Sequence, residues 1–585
     1  MIQNSANINI LWAGLIIEEL VRHGVTLFCI SPGSRSTPLT IAAVTNKTAE
    51  TLVALDERSG AFYALGYARA RHRPAALICT SGTALANYYP AVIEAYQSRV
   101  PLIILSADRP PELRNTGANQ TIDQVGIYGA YTNWTIDLPA PDTTINPRFI
   151  LTSVDQAVFQ AIKRPSGPVQ INCMFREPLE PKPVPYPESY LDDIRSWQED
   201  QEPWTDYLPS KNILNPNELA GIADRLNTGG RTLLVVGRTG DPDAKERITD
   251  LAIHTGWPVF ADITSGLRAT RDQMSLIDYY DLLLASERFK RLLKSYRILH
   301  IGDPLTSKRF LQFITQYPSV EYYHLHDHHG RQDPAHVVKK RIVADISEFC
   351  SGLKPLLNRH DQDNMILALN QQAGNTIGNF SEQESILSEI SVAIQIAGLV
   401  PANQGLHLGN SMPVRDFDMI GRIKNPNVVV SANRGASGID GSIASAAGFA
   451  RGIAAPVTAV IGDLAFLHDL NALDLINKTA NRIILVVINN NGGGIFSFLP
   501  IAQYKEVFEP FFATPHDLRF EHAARMYGLK YTVVTDGSSF QKAYQTALDQ
   551  DHHSIIEVQT NREENYTMHR NLLSQLIEKV EHLMD

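Results

Sequence analysis

Short apolar runs recur along this chain, and each stops abruptly at a small or charged residue. Leu52-Val53-Ala54-Leu55 stops at Asp56-Glu57-Arg58, Val457 to Ile461 stops at Gly462-Asp463, and Ile483 to Ile488 stops at Asn489-Asn490-Asn491-Gly492-Gly493-Gly494. Longer stretches with helix-like spacing lie between them. Brief apolar runs alternating with such stretches predict strand–helix repeats and parallel sheets. The same reading places strand ends at Ser31-Pro32-Gly33-Ser34-Arg35-Ser36, Ser81-Gly82-Thr83, Asp108-Arg109, Gly237-Arg238-Thr239-Gly240, Gly302-Asp303 and Asn433-Arg434-Gly435.

Two stretches interrupt this rhythm. Residues 177–204 carry prolines at 178, 181, 183, 185 and 187, and residues 357–384 are polar. Taken as linkers, they divide the chain into three α/β domains: 1–185, 205–355 and 385–585. The expected fold is three doubly wound parallel-sheet domains without repeated sequence. A chain of 585 residues is too long for a single core and agrees with such a division.

Composition narrows the class. The chain is 44% hydrophobic and 19% charged with a net charge of −10, which suits a soluble globular protein and disfavours broad nucleic-acid binding. Cys29, Cys79, Cys173 and Cys350 form no C-x-x-C pair, as expected of buried thiols in a reducing compartment. The first residues lack a signal-peptide pattern, and no apolar run approaches the ~20 residues that span a bilayer. A cytoplasmic address without membrane insertion is the expectation.

In open α/β sheets ligands bind beyond the carboxyl ends of strands, so the residues that stop the apolar runs outrank other polar residues. Asp463 and Asn490 each follow a strand, with glycines beside them that let backbone approach a ligand closely. A carboxylate, an amide oxygen and a nearby backbone carbonyl are the hard oxygen ligands that Mg²⁺ takes together with phosphate. Each motif alone is an ordinary turn; as a pair after two strands they suggest a seat for a magnesium diphosphate. Glu57 opens a small-residue helix, where an acid commonly complements the dipole; the functional alternative is a buried carboxyl, raised by desolvation, that moves a proton. His324, His326 and His328 alternate along a run that suggests a zinc site. It is read instead as a solvated strand end.

The carboxylate at this strand end, with Gly-Asp and Asn-Asn in the last domain, resembles the thiamine diphosphate-dependent enzymes. Within them the chain is most similar to the 2-succinyl-5-enolpyruvyl-6-hydroxy-3-cyclohexene-1-carboxylate synthases of menaquinone biosynthesis. The stretches that carry the likeness include SPGSRSTPL (31–39), LDERSGAFYALGYAR (55–69), LTSKR (305–309), GNSMPVR (409–415), SANRGASGIDG (431–441), GDLAFLHDLNAL (462–473), NNNGGGIFSFLP (489–500) and TNREENYTMHR (560–570). Two departures from the broad pattern, Leu464 after Gly462-Asp463 and Asp56 before Glu57, are those of this synthase branch.

The resemblance implies thiamine diphosphate and Mg²⁺, with Mn²⁺ possible in its place. Glu57 would hydrogen-bond the aminopyrimidine and favour its imino tautomer, and Ile439 would prop the cofactor in a bent shape. Ser81, Gly462 and Ile495 complete the cofactor contacts, while Asp463, Asn490 and the Gly492 carbonyl hold the metal. Two dianions, 2-oxoglutarate and isochorismate, would be bound by Arg35, Arg109, Lys308, Arg309, Arg415 and Arg434, since guanidinium forks suit carboxylates. Ser34, Asn119, Gln120 and Ser411 would add neutral hydrogen bonds, and Ile495, Phe496 and Leu499 an apolar wall. Glu57, Arg35, Gln120, Arg415 and Arg434 are the expected catalytic set. The family also implies a site shared between the first domain of one subunit and the last of another, so a homodimer at least, or a tetramer. Acetohydroxyacid synthases and 2-oxo acid decarboxylases are the neighbouring alternatives. A silent diphosphate-binding scaffold is a third, which the retention of Glu57 with Asp463 and Asn490 argues against.

Overall fold

The computed structural model describes residues 5–241, 243–269, 274–319, 321–383 and 387–585. It contains three parallel sheets. The first is built from β1 (Leu27–Ile30), β2 (Glu50–Val53), β3 (Ala75–Cys79), β4 (Leu102–Asp108), β5 (Trp134–Leu138) and β6 (Pro168–Met174), in the order β2-β1-β3-β4-β6-β5. The second contains β7 (Thr232–Val236), β8 (Val259–Ala261), β9 (Arg297–Ile301), β10 (Tyr322–His326) and β11 (Lys340–Val343), in the order β11-β10-β9-β7-β8. The third contains β12 (Gly405–Leu408), β13 (Val429–Ser431), β14 (Val457–Gly462), β15 (Ile483–Asn489), β16 (Lys530–Val534) and β17 (Ser554–Gln559), in the order β13-β12-β14-β15-β17-β16.

In each sheet the first two strands wind one way and the third starts out the other way. This leaves switch points between β1 and β3, between β7 and β9, and between β12 and β14. Loops at such points diverge to opposite faces and open a crevice at the strands' carboxyl ends. β3, β4, β6, β7 and β15 are buried along their whole length, which explains why they read as continuous apolar runs rather than alternating ones.

By residue contacts the chain forms two compact units. One comprises residues 1–209, 433–454 and 468–481; the other comprises 210–432, 455–467 and 482–585. In the first unit, helix Ser442–Ile453 packs along helix Glu57–Arg71. A Cβ added to Gly66 would lie 2.1 Å from the Ser445 carbonyl oxygen, and one on Gly448 1.9 Å from that of Tyr63. Only glycine at both positions lets the helices approach so closely. The sheet's own core, with Trp12, Phe28, Ile103 and Ile171, lies apart from this helix pair.

In the second unit one apolar cluster runs from Leu233 and Phe260 of the middle sheet to Val486 and Ile556 of the last. Asp418 joins the same two regions. Its oxygens accept from the Ile263 N–H at 2.8 Å and the Tyr280 hydroxyl at 2.7 Å. Burial, then the Asp262 charge, push its carboxyl up to about 8. Cys29, Cys79, Cys173 and Cys350 are all buried free thiols. Among the described residues no helix is long and apolar enough to cross a membrane.

Candidate functional site

The second unit holds the expected metal end. Asp463 opens the helix that follows β14, and it is 2% exposed. Its carboxylate accepts from the Leu464 N–H at 2.7 Å and the Gly492 N–H at 2.8 Å, and His516 Nε2 lies 3.2 Å away. Burial raises this carboxyl against the opposing pull of those two amides and His516. Asn490 follows β15; its Nδ2 donates to Glu389 Oε1 at 2.7 Å, while its Oδ1 is buried without a hydrogen-bond partner.

Gly492 sits at φ +129°, and a Cβ there would lie 1.9 Å from the Ala513 carbonyl oxygen. No other residue fits this crossing of two backbones. A buried carboxylate and an orphaned amide oxygen make a hard-oxygen donor set that fits a Mg²⁺ ion carrying phosphate.

The same unit also holds a cavity of about 450 Å³. Lys308, Arg309, Arg415, Ile495, Phe498 and Leu499 are among its lining residues. Lys308 and Arg309 begin helix Lys308–Gln316 behind the N-cap Ser307, and Arg309 is ion-paired with Asp281. Arg415 Nη1 donates to the Ser411 carbonyl at 2.6 Å. Ser411 has φ +76°, a conformation that costs a non-glycine residue about 1–3 kcal/mol. Phe496, expected in the apolar wall, does not line this cavity: its ring meets Phe512 edge-on at 5.7 Å. The short 3₁₀ turn Gly494–Phe498 swings Phe498 into the place instead, edge-on to His569 at 5.2 Å.

Asp416, His569 and Arg570 also line the cavity and were not singled out from the sequence. His569 Nε2 meets Asp416 Oδ1 at 3.0 Å and its Nδ1 meets the Asn565 carbonyl at 2.8 Å. Both partners offer oxygen acceptors, an arrangement that favours a proton on each ring nitrogen. Burial opposes the resulting charge, but Asp416 and the Asn565 carbonyl outweigh it and raise the imidazole.

The first unit holds the other expected residues. Glu57 is the first residue of helix Glu57–Arg71, behind Asp56, whose side chain accepts from the Arg58 N–H at 2.9 Å. Asn87 Nδ2 donates to Glu57 Oε2 at 3.1 Å. The sequence reading made Glu57 a buried carboxyl; within this chain it is only half-buried. Apolar side chains in the same unit are open too: Leu55 is 76% exposed, Val53 46% and Ile439 36%.

Ser81, at the end of β3, is buried and its Oγ has no hydrogen-bond partner. Arg35 is buried, donates to the Phe175 carbonyl at 2.8 Å and pairs with Glu177 at 3.2 Å; burial, then the Arg109 charge, depress its pKa. Ser34, Asn119 and Gln120 are exposed, and Gln120 holds φ +51°. Arg109 and Arg434 are half-buried.

Beneath these loops runs a buried polar chain that the sequence reading missed. Gln124 accepts from the Gly82 N–H at 3.3 Å and donates to Asn172 at 2.8 Å; Asn172 donates to Asp108 at 2.9 Å; Arg114 pairs with Asp108 at 2.6 Å. It ties the ends of β3 and β4 together. Lone Gln and Asn residues carry no spacing signal that would have found it.

The histidine run is not solvated, contrary to expectation: His324, His326 and His328 are 3%, 1% and 4% exposed. Strand alternation gives the face a residue takes, not whether that face is covered. His324 Nε2 donates to the Gly302 carbonyl at 2.8 Å, and His326 Nε2 lies 3.0 Å from Asp303 Oδ1. His328 Nδ1 accepts from the Gly330 N–H, which puts its proton on Nε2, the atom turned toward His326. Asp303, His326 and His328 each bring one ligand atom within 4.8 Å of the others, and in this structure they are joined as a hydrogen-bonded network.

Comparison with known proteins agrees with this geometry. Three family descriptions match successive parts of the chain: "Thiamine pyrophosphate enzyme, N-terminal TPP binding domain" over residues 12–127, "Middle domain of thiamine pyrophosphate" over 188–408, and "Thiamine pyrophosphate enzyme, C-terminal TPP binding domain" over 416–558. The 2-succinyl-5-enolpyruvyl-6-hydroxy-3-cyclohexene-1-carboxylate synthase of Rubrobacter xylanophilus is 44% identical, covering 97% of this chain and 98% of its own. The protein of the same name from Prosthecochloris aestuarii is 40% identical and covers 99% of each. Among solved structures, benzoylformate decarboxylase from Polynucleobacter necessarius aligns with a TM-score of 0.69 at 17% identity, over 94% of this chain and 98% of that one, which bears on the fold alone. Sheets, donor set and full-length similarity together place the chain in the family of 2-succinyl-5-enolpyruvyl-6-hydroxy-3-cyclohexene-1-carboxylate synthases, within the thiamine pyrophosphate enzymes.

Proposed function

We propose that this protein decarboxylates 2-oxoglutarate and adds the remaining four-carbon unit to isochorismate. The products are CO₂ and 2-succinyl-5-enolpyruvyl-6-hydroxy-3-cyclohexene-1-carboxylate. The observation that carries the reading is the cavity in which Lys308, Arg309 and Arg415 stand beside an apolar wall, in the same unit as the oxygen donors Asp463 and Asn490. Asp281 pairs with Arg309 and Asp416 with His569, while Lys308, Arg415 and Arg570 bring further positive charge to the lining; such charge concentrates anionic ligands, and the reaction joins two dianions.

Thiamine diphosphate, when bound, supplies the electron sink for decarboxylation. Asp463, Asn490 and the Gly492 carbonyl hold the Mg²⁺ that binds its diphosphate. Glu57 holds a proton at its aminopyrimidine, with the carboxylate oriented by Asn87. Arg309 and Arg415 fix substrate carboxylates through paired N–H donors, and Lys308 adds a point charge. Arg415 is itself steadied by the Ser411 carbonyl. Ile495, Phe498 and Leu499 keep water from the reacting carbons.

The half-exposed Glu57 and the open Val53, Leu55 and Ile439 support a homodimer in which a second copy covers this surface; a tetramer would pair two such dimers. The division at 1–185, 205–355 and 385–585 is proposed to separate pyrimidine, central and diphosphate functions. The four buried free thiols suit a cytoplasmic setting.

The test is an assay of purified protein with thiamine diphosphate, Mg²⁺ and 2-oxoglutarate, with and without isochorismate. CO₂ release and isochorismate loss should rise together. Isochorismate consumption that persists without 2-oxoglutarate would overturn the reading.

A further inference from the structure

Glu389 stands behind the metal end and belongs to none of the motifs that announced it. It opens helix Glu389–Leu399 behind a capping box, in which the side chains of Ser388 and Ser391 each accept from the other residue's backbone N–H. An acid in a helix's first turn ordinarily faces water and complements the dipole. This one is 4% exposed and turned inward, with Oε1 on Asn490 Nδ2 at 2.7 Å.

The two ends of an amide are nearly the same shape, and a cation can use only the oxygen end. An ionised carboxylate has acceptors and no donor, so in that form it meets only the nitrogen end. With Nδ2 captured, Oδ1 must face the other way, and that is the oxygen left buried without a partner. The capping box fixes where the helix begins, and so where the carboxylate stands.

We infer that Glu389 is a positioning residue, whose carboxylate sets the Asn490 amide with its oxygen toward the divalent cation of the cofactor diphosphate. This rests on the proposed reading of Asp463 and Asn490 as ligands of that cation.

The test uses full-length protein with thiamine diphosphate and Mn²⁺ as the probe, reading Mn²⁺ affinity by electron paramagnetic resonance. Wild type should bind, and Asp463→Ala should not. Glu389→Ala should weaken Mn²⁺ binding about 10- to 100-fold, the range for a residue that orients a ligand. Glu389→Gln, which keeps the shape and can still offer an oxygen, should weaken it less. Asn490→Asp sets two carboxylates face to face and should bind poorly. The double variant Glu389→Gln/Asn490→Asp should recover binding, because the glutamine donates to one aspartate oxygen and leaves the other for the metal.

Wild-type affinity in Glu389→Ala, with binding still lost in Asp463→Ala, would overturn the positioning role and leave the metal seat standing. A double variant no better than Asn490→Asp would overturn it as well. Binding that survives Asp463→Ala would overturn the seat itself. If Glu389→Ala does not fold by circular dichroism, the isosteric and double variants decide.

Discussion

The proposed metal seat of the second unit and the Glu57 surface of the first are built in opposite ways. At the metal end, Asp463, Asn490 and Glu389 are 2%, 8% and 4% exposed, and hydrogen bonds fix them. At the Glu57 end the carboxylate is half-buried, held by a single bond to Asn87 and set among open apolar side chains. Hydrogen bonds like those at the metal end orient the ligands of a metal before it binds. The Glu57 end lacks the covering that would desolvate a carboxyl tuned for proton transfer. Binding and chemistry should therefore be separable by mutation.

The largest effect is expected from Asp463→Ala. Losing the charge that anchors the cation should cost turnover more than about 10⁴-fold, equivalent to roughly 5–6 kcal/mol, and abolish Mn²⁺ binding in a titration. Glu57→Gln should lower kcat by about 10²- to 10⁴-fold, the range for general acid–base work, with Mn²⁺ and thiamine diphosphate affinities unchanged by calorimetry. If Glu57→Gln also lost the metal, the two ends would not be independent. Gly492→Ala should destabilise the metal end by more than the about 1–3 kcal/mol of a positive φ, because its Cβ also meets the Ala513 carbonyl, seen as a lower Tm and weaker Mn²⁺ binding.

The smallest test concerns the rigidity of the second unit. The Asp418 carboxyl is raised to about 8 when folded, against about 3.9 in an unfolded chain. Between these values the folded state holds the extra proton. The contribution of this group to stability is therefore complete below about pH 4 and declines as pH rises toward about 8. Tm should fall across that window, and Asp418→Asn should flatten the fall in thermal melts.

How much of this could be read in the sequence followed from the kind of signal each residue leaves. The strand ends near Asp463, Asn490, Ser81 and Arg35 were legible, because buried parallel strands are continuous apolar runs and the small and polar residues that follow each are conspicuous. Glu389 was not, since an acid after a serine is the commonest way for a helix to start. Phe496 and Phe498 are two residues apart in a 3₁₀ turn, and no periodicity decides which of them faces the cavity. The histidine run misled because alternation is a local property and cover is not. Gln124 and Asn172 were silent for a related reason: their partners lie 48 residues apart in the chain.

The close packing of Gly66 against Ser445 and of Gly448 against Tyr63 has a consequence for biosynthesis. Helix Glu57–Arg71 leaves the ribosome about 370 residues before the helix that covers it, which at about 5–20 residues per second is a wait of roughly 20 to 75 s. Through that interval the nascent chain carries an uncovered small-residue groove. Chaperone holding during translation should matter for this protein's yield, more than for a chain whose domains close in order.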